Sequence, residues 1–158
     1  MQTEVIRSAR RKKTVDARVV DGVLRVAIPA SMSVAEETHW VRVMRARIER
    51  KTSSAGIDLG TRARTLAGSL ELPEPSQIVF SERQRQRWGS CTPAESKIRI
   101  STRTAAFPPW VLDYVIVHEL AHLVEPNHSP KFWSLVNRYP LAERARGFLI
   151  AKESEGID

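Results

Sequence analysis

The stretch HELAHLVEPNHSPKFW occupies residues 118–133 and contains three of the chain's four histidines. The apolar run before it, residues 111–117, predicts a buried helix that begins near Pro108 or Pro109, because proline is favoured in a first helical turn. Pro126 is expected to end this helix, since a proline disfavours the α conformation at the residue before it. The sequence therefore places the histidines on a helix and in the turn directly after it.

The spacing of these histidines predicts a metal site. His118 and His122 are four residues apart, so their imidazoles project from one helical face and can bind one ion. Glu119 points about 100° further around the helix, which suits a general base acting on a metal-activated water better than a ligand. His128 is the predicted third ligand, because Asn127 tolerates a left-handed backbone that would turn the chain back towards the pair.

The predicted cofactor is one Zn²⁺ with an open coordination position. Structural zinc sites usually have four protein ligands, often cysteines, whereas this stretch offers three histidines and an adjacent acid. Two alternatives are ordinary histidines without a metal, and a metal that only stabilises the fold.

Further side chains are candidates for contacts with the substrate or with the oxyanion of the reaction. Tyr114, Tyr139 and Arg87 can each donate a hydrogen bond to a developing negative charge. Glu125 is a candidate for orienting a histidine through its carboxylate. The segment KIRIS, residues 97–101, alternates basic and apolar residues and would accept an extended peptide if it is an edge strand; the alternative is an interior strand.

The N-terminal part of the chain predicts a β-hairpin followed by a helix. Asp21-Gly22 is a two-residue turn signal within residues 14–29, and it pairs Val19 with Leu24, Ala17 with Val26 and Val15 with Ile28 on one face. Ser33 with Glu36 forms a capping box before a helix over residues 34–51.

The middle of the chain predicts a second helix near residues 61–69 and two strands, residues 77–81 and 97–101. The segment RQRWGSCTPAES, residues 85–96, is predicted to be a turn-rich loop between those strands. Helices are expected to begin again after Ser129-Pro130 and after Pro140. Strands and helices mixed in this order indicate an α+β fold.

Composition narrows the class of protein. The 158 residues suit one domain with a small appendage, and 42% hydrophobic residues can form a core. No apolar run approaches the roughly 20 residues that cross a bilayer, no secretory signal is evident, and the only cysteine, Cys91, excludes an internal disulfide. A cytoplasmic protein without a membrane partner is expected. The net charge of +7 makes nucleic acid a possible partner, although no nucleic-acid motif accompanies it.

Four segments together resemble a known family. These are RSARRKKT (residues 7–14), RWGSC (87–91), KIRIS, and VLDYVIVHELAHLVEPNHSPKFW (111–133). They are similar to the YgjP-like family of predicted zinc metallopeptidases, which is grouped with the minigluzincins and related to the SprT- and Wss1-like proteases that cut proteins attached to DNA.

The resemblance implies a minimal zincin-like α+β fold in which a small antiparallel-containing sheet packs on the active-site HExxH helix. It implies an N-terminal β-hairpin extension over residues 1–32 and a metallopeptidase domain over residues 33–158, within one compact unit. It also implies His118, His122 and His128 as zinc ligands and Glu119 as the catalytic acid and base. Arg87, Trp88 and Ser90 would lie beside the cleft as substrate contacts.

The predicted function is zinc-dependent hydrolysis of peptide bonds in a peptide or protein. The alternatives are a non-proteolytic zinc hydrolase of a small substrate, either phosphorylated or an amide, a DNA-associated protease, and a nucleic-acid-associated module whose metal site is secondary. A long cleft beside an edge strand would favour the peptidase, whereas a closed pocket lined by arginines would favour the small substrate.

Overall fold

The computed structural model describes residues 1–155 of the chain, which form two compact units, Met1–Thr52 and the described residues from Ser53 onwards. The strands are β1 (Gln2–Ser8), β2 (Asp16–Val20), β3 (Val23–Pro29), β4 (Gln77–Ser81), β5 (Gly89–Thr92) and β6 (Lys97–Ser101). The helices are α1 (Val34–Ala55), α2 (Leu59–Leu70), α3 (Pro109–His122), α4 (Pro130–Val136) and α5 (Ala142–Ser154), with short 3-10 turns at Pro93–Glu95 and Thr102–Ala106.

The first unit contains a three-stranded sheet in the order β1-β3-β2. The predicted hairpin is present, with Asp21 and Gly22 both at positive φ and with Val19 opposite Leu24. Val19 is nevertheless 45% exposed, because it lies beside the turn at the end of the sheet. The sequence prediction missed β1, which runs parallel to β3, so the β extension has a third strand in addition to the hairpin.

The helix α1 covers the buried face of this sheet. Its capping box is present as predicted: the Ser33 N–H donates to Glu36 at 2.8 Å, and the Glu36 N–H donates to the Ser33 hydroxyl at 3.2 Å. Buried Met44 packs against the strand side chains that point towards the helix. The first unit therefore includes α1 as far as Thr52, whereas the predicted extension covers only residues 1–32; the predicted domain boundary stays a prediction.

The second unit contains a mixed sheet in the order β4-β6-β5, in which β6 is parallel to β4 and antiparallel to β5. The two predicted strands, β4 and β6, have the expected bounds. The predicted loop over residues 85–96 was partly wrong, because it contains β5, a short strand with little apolar pattern. Of the two alternatives for KIRIS, the interior strand is the correct one, because β6 is paired on both sides and β5 forms the edge.

The core of the second unit surrounds α3. Most side chains of this helix are buried, and they pack with Ile98 and Ile100 of β6 and with α2, α4 and α5. The expected α+β fold, with a small mixed sheet against the helix of the HExxH sequence, is confirmed. None of the helices within residues 1–155 has both the length and the apolar character needed to cross a membrane.

Candidate metal centre

Three histidines meet at the end of α3. The Nε2 atoms of His118 and His128 are 3.3 Å apart, and the ring nitrogens that the three histidines can offer all lie within 4.8 Å of one another. Ligands placed 2.0–2.1 Å from a tetrahedral ion are separated by about 3.3 Å. The His118–His128 separation therefore fits the spacing of two ligands on one Zn²⁺, and each of the three side chains can offer one ligand atom.

The turn after α3 brings His128 back to the helix. The helix α3 ends at His122, and one more hydrogen bond, from the Glu125 N–H to the Ala121 carbonyl at 2.9 Å, closes the turn directly before Pro126. Asn127 does not adopt the left-handed backbone expected of it, so the turn is made in ordinary backbone conformations. Beyond the turn, the His128 ring stacks on Trp133 of α4 at 5.7 Å.

Hydrogen bonding and packing orient the rings for a metal. The Nδ1 of His122 donates to the backbone carbonyl of Glu125 at 3.1 Å, which leaves Nε2 available as a ligand. This contact uses the main chain of Glu125, whereas the sequence suggested its carboxylate. Fully buried Phe132 supports the cluster, with its ring 4.4 Å from His122 and 4.9 Å from both His118 and His128.

Burial keeps the imidazoles of His118 and His122 neutral. It lowers the pKa of His118 to about 3, with smaller contributions from electrostatic repulsion by His122, His128 and Arg146. Burial also lowers the pKa of His122, against the opposing effect of its hydrogen bond to the Glu125 carbonyl. A neutral imidazole is the form that binds a metal ion, so the site is prepared for one.

Glu119 lies within the cleft wall and is only 5% exposed. Burial raises the pKa of its carboxyl group to about 8, against the opposing charge of Arg87. Its side chain lies directly against β5: a Cβ at Gly89 would be 2.8 Å from Oε1 and 2.9 Å from Cγ of Glu119. Glycine at position 89 is therefore needed for close approach to the acid.

The four predicted contact residues, Arg87, Trp88, Ser90 and Tyr114, all line one cleft of about 740 Å³ beside the histidines. Two of them already have internal partners. The Trp88 Nε1 donates to Glu153 at 3.0 Å, and the Ser90 hydroxyl accepts from the Gln84 amide at 2.7 Å.

The two tyrosine candidates differ in position. Burial raises the pKa of Tyr114 to about 12, so its hydroxyl stays protonated and can donate in this cleft. Tyr139 is not at the site, and this candidate was wrong. Its hydroxyl donates to the Trp110 carbonyl at 2.8 Å, and it is not among the residues that line the cleft.

Sequence reasoning missed several residues of the cleft. Gly89 belongs to the RWGSC segment, but only the structure shows how closely it approaches Glu119. Arg146 and Glu153 come from α5, and no local pattern connects them to the histidines. Cys91 also lines the cleft; burial and the charge of Glu119 raise its pKa to about 11, so its thiol is not an activated nucleophile.

Two crystal structures are similar in fold to part of this chain. The metallopeptidase zymogen jannalysin of Methanocaldococcus jannaschii matches with a TM-score of 0.52 and 22% identity, over 61% of this chain and 97% of that chain. The metallopeptidase zymogen abylysin of Pyrococcus abyssi matches with a TM-score of 0.52 and 18% identity, over 61% of this chain and 92% of that chain. The chain thus has the fold of small metallopeptidases.

The family assignment is more specific. Residues 45–149 match the model of the YgjP-like metallopeptidase domain, and the chain belongs to this family. Membership confirms the predicted resemblance and identifies the chain as a metal-dependent hydrolase. No protein with curated annotation is significantly similar to it in sequence.

Proposed function

We propose that this chain is a zinc-dependent peptidase that binds one Zn²⁺ through His118, His122 and His128 and uses Glu119 as its general base. The observation that carries this proposal is the convergence of three ring nitrogens within 4.8 Å beside a buried carboxylate of the same helix. The membership of the chain in a metallopeptidase family supports it.

The donor set fits zinc with an open position. Three neutral imidazoles are common ligands of catalytic Zn²⁺, and within residues 1–155 no further histidine, cysteine or acidic side chain joins the group. His128 is exposed, so a substrate has access to this side of the site. When bound, Zn²⁺ supplies a Lewis acid that lowers the pKa of a water molecule and polarises a carbonyl group.

Glu119 is suited to moving the proton of the reaction. A carboxyl group with a pKa raised by burial accepts a proton more readily near neutral pH than an ordinary glutamate does. Glu119 would accept a proton from the attacking water and donate it to the leaving amine. Tyr114 and Arg87 are the proposed hydrogen-bond donors to the developing oxyanion, because both line the cleft.

The edge strand β5 is the proposed binding surface for the peptide. Its position at the end of the β4-β6-β5 sheet leaves one side without a partner strand in the described part of the chain. Gly89, Ser90 and Cys91 also line the cleft, so a peptide paired with β5 would pass beside Glu119. Main-chain pairing of this kind binds extended peptides with little dependence on sequence.

The test combines metal analysis with a peptide-library screen. Glu119→Gln removes the base but keeps the size of the side chain, so we expect the variant to bind zinc at wild-type stoichiometry and to lose turnover. Glu143→Gln is the matched control, because Glu143 is exposed on α5 outside the cleft. Mass spectrometry of the library identifies cleaved bonds, and full turnover by the Glu119 variant would refute the mechanism.

A further inference from the structure

Arg146 of α5 is held in a fixed position in the cleft wall. Its guanidinium lies 4.5 Å from the centre of the Trp133 ring, and the same ring stacks on His128. Stacking on an aromatic ring orients the planar guanidinium group and limits its motion. Arg146 lines the same cleft as His118 and Tyr114.

This arginine has no carboxylate partner within residues 1–155. Arg62 in the same unit, by contrast, forms an ion pair with Asp113 at 2.7 Å. Of the acidic side chains that line the cleft, Glu153 accepts a hydrogen bond from Trp88, and Glu119 is buried against Gly89. The cleft therefore holds an oriented cation with no internal anion to neutralise it.

The positive charge of Arg146 is electrostatically unfavourable at this position when no ligand is bound. Arg146 lies beside a site proposed to hold a divalent cation, and like charges in a partly buried cleft repel one another. An anionic group bound next to Arg146 would remove this repulsion and form charge-assisted hydrogen bonds with the guanidinium. In a peptide, the group of this kind is a carboxylate.

We propose that Arg146 binds a carboxylate of the peptide substrate and so makes the enzyme selective for acidic groups near the scissile bond. The inference rests on the proposed peptidase function and adds its substrate class. The carboxylate belongs either to an aspartate or glutamate side chain or to the C-terminus of the peptide. Arg146 is in this role a specificity-determining residue.

The test uses one peptide sequence in three forms and two variants of Arg146. The first form has a glutamate near the scissile bond and an amidated C-terminus, the second has glutamine and a free C-terminus, and the third has glutamine and an amide. Arg146→Gln removes the charge, whereas Arg146→Lys keeps it without the planar fork. Arg144→Gln is the matched control, because Arg144 also lies over a tryptophan, Trp110 at 5.1 Å, but does not line the cleft.

We expect the wild-type enzyme to cleave one of the carboxylate forms about 10- to 100-fold more efficiently than the neutral form, as a charged hydrogen bond would produce. Arg146→Gln should abolish this preference, mainly through KM, so that kcat/KM for the carboxylate forms falls to that for the neutral form. Arg146→Lys should keep part of the preference, and Arg144→Gln should keep all of it. The preferred form shows which source supplies the carboxylate.

Several results would overturn this inference. Equal cleavage of all three peptides by the wild-type enzyme would show that no carboxylate is recognised. An equal loss of kcat on all three peptides in Arg146→Gln, with zinc content unchanged, would assign Arg146 to the reaction step instead. If the zinc-loaded wild-type enzyme cleaves no peptide in any form, the proposed peptidase function fails, and this inference fails with it.

Discussion

The contact between Gly89 and Glu119 predicts a large effect from one methyl group. An alanine Cβ at position 89 would lie 2.8 Å from Oε1 and 2.9 Å from Cγ of Glu119, so the shorter separation must open by about 0.6 Å to reach the ordinary range that begins at 3.4 Å. Because Glu119 is buried, its carboxylate cannot move into solvent without rearranging the cleft wall. Gly89→Ala should therefore displace the general base.

The size of this displacement determines the expected loss of activity. A misplacement of about 1 Å in catalytic geometry costs about 100-fold in rate, so a shift of about half that distance should lower kcat/KM about 10- to 100-fold, or about 1.4–2.7 kcal/mol. Overpacking should also lower the free energy of unfolding by about 1–3 kcal/mol. Zinc content should stay unchanged, because the nearest atoms to the added Cβ all belong to Glu119.

The assay compares peptide cleavage, metal content and thermal unfolding of Gly89→Ala with those of a matched variant. Gly68→Ala makes the same substitution on α2, where an added Cβ has no atom within 4 Å. The control should keep full activity and gain up to about 1 kcal/mol of stability, because alanine favours a helix. Wild-type kcat/KM in Gly89→Ala, or loss of its zinc together with its activity, would refute the reasoning.

Three further predictions concern the ligands, their support and the base. His128→Ala should lose zinc and turnover but keep its unfolding temperature in the metal-free state, because His128 is exposed. Stoichiometric zinc retained by this variant in elemental analysis would contradict the role of His128 as a ligand. Phe132→Ala should lower the free energy of unfolding in denaturant by about 3–5 kcal/mol and weaken zinc binding, and Phe132→Leu should have smaller effects on both quantities. An unchanged zinc affinity would argue against the role of Phe132 in supporting the histidine rings. Arg87→Gln should move the acidic limb of the kcat/KM profile to higher pH, because Arg87 lowers the pKa of Glu119 and the base must be deprotonated. A shift of this limb to lower pH would contradict the assigned effect of Arg87 on Glu119.

Local signals in the sequence predicted those parts of the fold that local interactions determine. The Asp21-Gly22 turn and the Ser33 cap depend on residues within a few positions of one another, and both are present. The strands β1 and β5 were missed because each lies at a sheet edge and carries little apolar alternation. In addition, β1 pairs in parallel with a strand that is not its neighbour in the chain, and β5 has only four residues, so a local pattern does not reveal either strand.

The sequence also left open whether β6 is an edge strand or an interior strand. Its alternation of Lys97 and Arg99 with Ile98 and Ile100 indicates one buried face and one exposed face. That pattern reports which face is covered, but it carries no information about neighbours in the plane of the sheet. Those neighbours, β4 and β5, are set by the path of the whole chain.

The division between local and distant residues also separates the two parts of the proposed activity. The ligands, the base and the supporting ring of Phe132 all lie within residues 118–133, so one stretch encodes both the metal site and its packing. The groups that would select a substrate come from elsewhere: Gly89 from β5 and Arg146 from α5. Substitutions in those two elements can therefore change which peptides are cleaved while the zinc ligands stay the same. The Arg146 variants test this separation directly, because they should alter substrate preference at constant metal content.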